Sequence, residues 1–389
     1  ASLSAARSSL TTFFFLAGER SGDQHAARLL TALRRRQPDV QARAWGGAAL
    51  AGAGAEIVRD YATYSVMGFV EVVGALFTFR RLLKEVEAEL TTHRPDAVVL
   101  VDFAGFNLRV ARIAKRLGIR VVWYISPKLW AWGAGRVKTI AATVDQLLLI
   151  LPFEPQFFAG HGFTRTAYVG NPVADGVAEF RATHVATAGR DPAFRHRHGL
   201  APDRPTIAVL PGSRRQEVEE MLYVMAAIVH AVPDHDFVVA GVSNLDRALY
   251  APYQDRAPNL RFVWDDTYPL LAEARAALVT SGTATLETAL FGVPQVVCYA
   301  TSLVSYWLAR ALINVKFISL VNLIVGRQIV PELIQRQFIG PNLLDELRAI
   351  LPDGAPAREA QLQGYAELRE KIGAPGAPDK AAELILGGL

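Results

Sequence analysis

An α/β fold of two Rossmann-like domains facing across a cleft, with helices at the C-terminal end, is predicted by three observations. Short apolar runs, each followed by a Gly-containing loop and a helical pattern, recur from residue 13. The rhythm stops in a polar stretch and then resumes. The runs are continuously apolar rather than alternating, as strands buried on both faces of a parallel sheet are. With 389 residues, 51% of them hydrophobic and 20% charged, the chain has apolar material for two cores of the usual size, roughly 100 to 200 residues each.

The elements follow in order. FFFLAG precedes HAARLLTALRRR, DAVVLVD precedes FNLRVARIAKRLG, and IRVVWYI precedes a Gly-rich break. After TAYVGNPVADGV comes the polar stretch Arg181 to Arg204, and then PTIAVLPGS, HDFVVAG, AALVTSG and QVVCYA, each leading into a helical pattern. Beyond Gln328 the pattern is helical and broken at Pro341, Pro352 and Pro375. The predicted division is a first domain over 1–174, a linker over 175–204 and a second domain over 205–389 that includes the terminal helices. This is the GT-B architecture. Ligands of open α/β sheets gather beyond the carboxyl ends of the strands, so two such domains create one cleft where chemistry is expected.

Composition excludes several function classes. Cys298 is the only cysteine, which rules out an internal disulfide or a multi-cysteine metal site and fits a reducing cytosol. A net charge of +4 is too small and dispersed for a nucleic-acid-binding face, and suits an anionic membrane surface or a phosphorylated ligand. The N-terminal stretch has too short an apolar core for a signal peptide. Val66 to Phe79 is interrupted by Glu71, and Tyr306 to Val325 by Arg310 and Lys316, so membrane contact is expected to be peripheral. His196 and His198 read as solvated surface, and Asp265-Asp266 lacks D-x-D spacing; neither metal nor cofactor is implied.

The first strand-to-helix loop, Gly18-Glu19-Arg20-Ser21-Gly22-Asp23, puts two glycines where backbone can approach an anion at a helix N-terminus, or is simply a turn capped by Ser21 or Asp23. It has neither the GxGxxG spacing of dinucleotide binders nor the GK[ST] ending of a P-loop. GGAALAGAG, residues 46–54, reads as small-residue packing. Asp102 ends the strand DAVVLVD, where it serves as a general base or caps the next helix. In LPGSRRQEV, Gly212, Ser213 and Arg214 follow the first strand of the second domain, where amides and a guanidinium can grip a diphosphate. In TSGTATLE, Ser281, Gly282 and Thr283 open a helix whose N-terminal dipole suits a leaving pyrophosphate, and Glu287 is one turn on, in reach of ribose hydroxyls.

Two further segments combine aromatic and basic residues. YISPKLWAWGAGRVK contains Trp130, Trp132 and Arg136; VMGFVEVVGALFTFRRLLK contains Phe69, Phe77, Arg80 and Arg81. Both read either as ordinary packing or as a surface facing a membrane and an amphiphilic acceptor.

AGERSGD, GFVEVV after VMG, VDFAGFN, YISPKLWAW, VDQLLLILPFE, YVGNPVAD, LPGSRRQEV, TSGTATLE and VNLIVGRQIVPELIQ together resemble the motif series of the lipid-A-disaccharide synthase family, in its order and over nearly the whole chain. The chain departs from that pattern at Arg20, Gln24, Leu50 and Asn171. The resemblance implies an inverting, metal-independent glycosyltransferase on the cytoplasmic face of the inner membrane of a Gram-negative cell. Its donor would be UDP-2,3-diacylglucosamine and its acceptor 2,3-diacylglucosamine 1-phosphate, giving lipid A disaccharide 1-phosphate and UDP. It also implies Asp102 as base, with Glu19 the next carboxylate, and Gly18, Ser21, Gly22, Asn107 and Asn322 among the substrate-binding residues. The nucleotide loops alone also fit a UDP-GlcNAc 2-epimerase, a transferase using a polyprenyl-linked acceptor, or a non-catalytic sugar-nucleotide sensor.

Overall fold

The computed structural model describes residues 10–64, 72–184, 191–254, 256–301 and 315–389, with only the backbone described for 72–77. The chain divides into two compact units, one comprising the residues up to Pro172 together with Gly376–Leu389, the other Val173–Pro375.

Among the described residues, the first unit is built on a seven-stranded sheet. Its strands are β1 (Thr12–Ala17), β2 (Gln41–Gly46), β3 (Glu56–Asp60), β4 (Ala97–Val101), β5 (Arg120–Tyr124), β6 (Gln146–Leu149) and β7 (Thr166–Tyr168). They lie in the order β3-β2-β1-β4-β5-β6-β7, all parallel. Phe13, Phe15, Ala17, Ala97, Val99 and Val101 pack on one face, while Phe14, Leu16, Val98 and Leu100 pack on the other. Period-two projection into two apolar layers is why these runs carry no polar alternation.

The second unit repeats the plan with β8 (Thr206–Leu210), β9 (Asp236–Gly241), β10 (Leu260–Trp264), β11 (Ala274–Thr280), β12 (Gln295–Tyr299) and β13 (Glu332–Ile334). Among the described residues the order is β10-β9-β8-β11-β12-β13, again parallel. In each sheet the chain winds outward in one direction and then reverses, with switch points between β1 and β4 and between β8 and β11. Ligand crevices of doubly wound sheets open at such points.

The division differs from the predicted one at two places. The last helix, Ala377–Leu386, belongs to the first unit, not to a second domain running to residue 389. Its stripe Ala377, Ala381, Ala382 and Ile385 joins the core beside the helix Arg20–Arg36, and Arg35 and Arg36 pair with Asp379 and Glu383. Helical periodicity reveals an apolar stripe but not the partner that covers it. The stretch read as a linker contributes the helices Pro172–Thr183 and Pro192–Arg197, and the second begins with Asp191 capping the Ala193 amide. Phe194 and Arg195 are buried there, and His198, read as solvated, lies 3.0 Å from Asp266.

No helix among the described residues is long and apolar enough to cross a membrane.

Candidate active site

In the first unit, the register Ala17↔Val101 brings Gly18 alongside Asp102 at the switch point. Asp102 and Phe103 both have left-handed backbones, φ 47° and 46°. Two such residues in succession cost on the order of 1–2 kcal/mol each and persist only where the surroundings enforce them. Asn107 does so. Its side chain is wholly buried and donates to the carbonyls of Asp102 at 2.7 Å and Val101 at 3.3 Å. The amide nitrogen of Asn107, expected to contact substrate, is thus used to clamp the strand end, while its Oδ1 has no partner among the described residues. The Phe103 ring lies over Gly18, where a Cβ would come within 2.2 Å of it, so packing already requires this glycine.

Glu19 stands just before the helix Arg20–Arg36 in extended backbone and accepts a hydrogen bond from the Ser21 hydroxyl at 2.8 Å. Gly22 is buried behind them. Asp23 faces away from this loop: its carboxylate accepts from the amides of Gly47, Ala49 and Leu50 at 2.7, 2.9 and 3.3 Å. Side chains at Gly46 or Gly47 would press on Asp23 and on Leu50 or Tyr61, which accounts for the small residues there.

Burial pushes the Asp102 carboxyl above its ordinary range and the charge of Glu19 pushes it further, while Lys128 and the Phe103 amide pull it back. A carboxylate serving as a general base must be ionised, so were Asp102 the base, kcat/KM would fall as pH drops through this raised value. Glu19→Gln removes the like charge, and the acid limb of the pH–rate profile should move to lower pH. An unmoved limb would show that Glu19 does not act on the ionisation that governs turnover.

In the second unit, Val279↔Leu210 sets LPGSR beside TSGT at the other switch point. Gly212 has φ 112°, and a Cβ there would come within 2.6 Å of Glu217. Glu217, which sequence reasoning passed over, accepts from the amides of Ser213 and Arg214 at 3.0 and 3.2 Å, and from the Arg214 guanidinium at 3.2 Å. Its place three residues into the helix Arg215–Ala227 is the capping-box spacing that would have revealed it.

The Ser281 hydroxyl donates to the Ile318 carbonyl at 2.9 Å. Gly282 and Thr283 are exposed at the start of the helix Thr283–Phe291, and a Cβ on Gly282 would meet nothing within 4 Å. Glu287 accepts from the Tyr268 hydroxyl at 3.1 Å, and burial pushes its carboxyl up. Asn322 is corrected to a structural role. It is wholly buried, accepts from the Ile329 and Val330 amides at 2.7 and 3.0 Å, and donates to Val330 and Glu332.

Of the aromatic and basic set, Phe69 and the Phe77 side chain lie outside the described residues. Arg80 and Arg81 are exposed on the helix Val72–His93. Trp132 is 47% exposed, with the Arg136 guanidinium 4.8 Å from its ring centre. Trp130 is half-buried, and its indole donates to Glu154 at 3.2 Å.

Comparison with known proteins adds to this geometry. The family model for lipid-A-disaccharide synthetase matches residues 13–372. The chain is 41% identical over 384 residues to a lipid-A-disaccharide synthase of Myxococcus xanthus, covering 95% of this chain and 96% of that protein. Among solved structures it is similar to the glycotransferase of kitacinnamycin, with TM-score 0.67 and 15% identity over 97% of this chain and 99% of that one. It is also similar to the UDP-GlcNAc 2-epimerase of Neisseria meningitidis bound to UDP-GlcNAc, with TM-score 0.63 and 12% identity over 97% and 99%. At such identities the structures establish the GT-B fold alone. The match along nearly its whole length decides between enzymes that share that fold: the chain belongs to the lipid-A-disaccharide synthase family.

Proposed function

We propose that this enzyme transfers 2,3-diacylglucosamine from UDP-2,3-diacylglucosamine to 2,3-diacylglucosamine 1-phosphate, forming lipid A disaccharide 1-phosphate and UDP. The observation that carries the reading is the placement of the two loop pairs at the switch points of their sheets, in a chain of this family. Asp102, with Glu19 beside it, takes the proton from the acceptor 6-hydroxyl as that oxygen attacks the donor anomeric carbon with inversion. Ser21 and Gly22 complete the acceptor-side loop. The departing diphosphate is stabilised by Gly212, Ser213, Arg214 and the helix that starts at Gly282 and Thr283, with Ser281 holding the loop and Glu287 on the ribose. Purified protein given both lipids should yield the disaccharide and UDP; binding of the donor without turnover would instead identify a sensor.

Arg214→Ala should weaken UDP binding about 10- to 100-fold, the range for losing a charge-assisted contact. Calorimetry with UDP checks this, and unchanged affinity would remove Arg214 from the site.

The proposal extends to peripheral association with the cytoplasmic face of the inner membrane through Arg80, Arg81, Trp132 and Arg136, with Phe69 and Phe77 on the same segment as the first two. Anionic vesicles should co-sediment the protein at low salt and release it at high salt. Failure to co-sediment at any salt concentration would refute the association.

A further inference from the structure

The first unit holds a buried carboxylate that the mechanism above leaves unused. Glu154, 1% exposed, begins the helix Glu154–Gly160. One of its oxygens accepts from the Ser126 hydroxyl at 2.6 Å and the Trp130 indole at 3.2 Å. The other accepts from the amides of Ile150 and Leu151 at 3.2 and 2.9 Å. The indole and the two amides can only donate, and the Ser126 hydroxyl donates here, which suits the ionised carboxylate. Burial pushes the pKa up, but all four donors oppose that push.

These bonds join the segment after β5 to the segment after β6. The segment after β5 is not at rest, because Ile125, a β-branched residue, has φ 65°. A conformation this unfavourable for such a side chain is kept only by external ties. The Ile125 amide pairs with Leu148, Glu154 holds Ser126 and Trp130, and the Trp130 ring meets Phe153 edge-on with centroids 5.1 Å apart. Between the two tied residues lies Lys128, exposed and acting electrostatically on Asp102.

The strand before this segment lies beside Asp102, with Val101 paired to Tyr124 and the Asp102 amide donating to the Tyr124 carbonyl at 3.4 Å. We infer that Glu154 is a positioning residue for the reaction: by fixing the segment Ser126–Trp130, which leaves the sheet next to Asp102, it holds Lys128 in place toward that carboxylate. The inference rests on the reading of Asp102 as base. The charged groups that act on Asp102 are Glu19, from the loop after β1, which opposes ionisation, and Lys128, from the loop after β5, which promotes it. Glu154 thus offsets, through a lysine, part of what Glu19 does.

The test is the pH profile of kcat/KM in the full-length enzyme, together with UDP affinity. In Glu154→Gln the amide N–H must face donors on one side or the other, so the segment loosens. The acid limb should move to higher pH, with a several-fold loss of kcat/KM on the acid side and no change in UDP binding. Lys128→Ala should shift the limb in the same direction, and the double variant should go no further than Lys128→Ala alone. If Glu154→Gln does not fold, Trp130→Phe removes one donor and keeps the ring, and a smaller shift of the same sign is expected. A lowered Tm with an unmoved limb would overturn the inference, as would full additivity of the two substitutions. Asp102→Asn separates this from the parent reading. If that variant loses turnover while Glu154→Gln and Trp130→Phe leave the limb in place, only the role of Glu154 fails; if it keeps turnover, the base assignment fails first.

Discussion

Asp102→Asn should lower kcat by about 10²- to 10⁴-fold, the usual contribution of a general base, while UDP binds as in the wild type. The substitution is a clean probe because of the backbone it inherits. Asp102 sits at φ 47°, a conformation that Asn tolerates better than most residues, so the strand end and its Asn107 clamp should survive. On the proposed mechanism, what is lost is the negative oxygen that receives the acceptor proton. A group that acts in the transition state should affect turnover rather than nucleotide affinity, which the proposal assigns to residues of the other compact unit. Steady-state kinetics with both lipids and calorimetry with UDP separate the two quantities. A near-wild-type kcat would disqualify Asp102 and make Glu19, whose charge already acts on it, the carboxylate to test next.

Strand identity and sheet type were legible because buried parallel strands must be apolar on both faces, and runs such as Ala97–Val101 and Thr206–Leu210 are short, rich in β-branched residues and bounded by turn residues. The positions of Asp102, Arg214 and Gly282 were equally legible, since a loop that follows such a strand has to lie at the carboxyl edge of its sheet. What a side chain does once it is there was not. Asn107 and Asn322 look like ligand contacts because amides are versatile hydrogen-bonding groups, yet the Asn107 amide nitrogen and all of the Asn322 amide are spent on backbone or carboxylate groups brought near only by the fold. Glu154 drew no notice because two of its donors, Ser126 and Trp130, lie 28 and 24 residues away, and no local spacing encodes that meeting. The stretch containing Arg195 looked like a solvated linker because its charges were counted without their partners, one of which is 78 residues away.

That residue gives the largest expected effect on stability. Arg195 pairs with Glu273 at 3.0 Å, and their side chains are only 5% and 2% exposed. The guanidinium also donates to Thr206 at 3.3 Å, to the Arg204 carbonyl at 2.6 Å and to the Ala201 carbonyl; Glu273 also accepts from the Asp191 amide. One cation therefore fastens the helix Pro192–Arg197 and the turn after it to the edge of β8 and to the helix that precedes β11. Arg195→Ala would leave the Glu273 carboxylate buried without its counter-charge and three acceptors without their donor. Breaking a buried pair in this way costs roughly 3–5 kcal/mol. The cost should appear in the unfolding transition of the second unit, followed separately because a two-unit chain need not unfold in one step. If the penalty is mainly the orphaned charge, Arg195→Met combined with Glu273→Leu should recover much of it, since apolar groups of similar volume often replace a buried ion pair at little cost. Equal destabilisation by the single and the double substitutions would mean that the hydrogen bonds to Ala201, Arg204 and Thr206, rather than the charge pair, hold this segment in place.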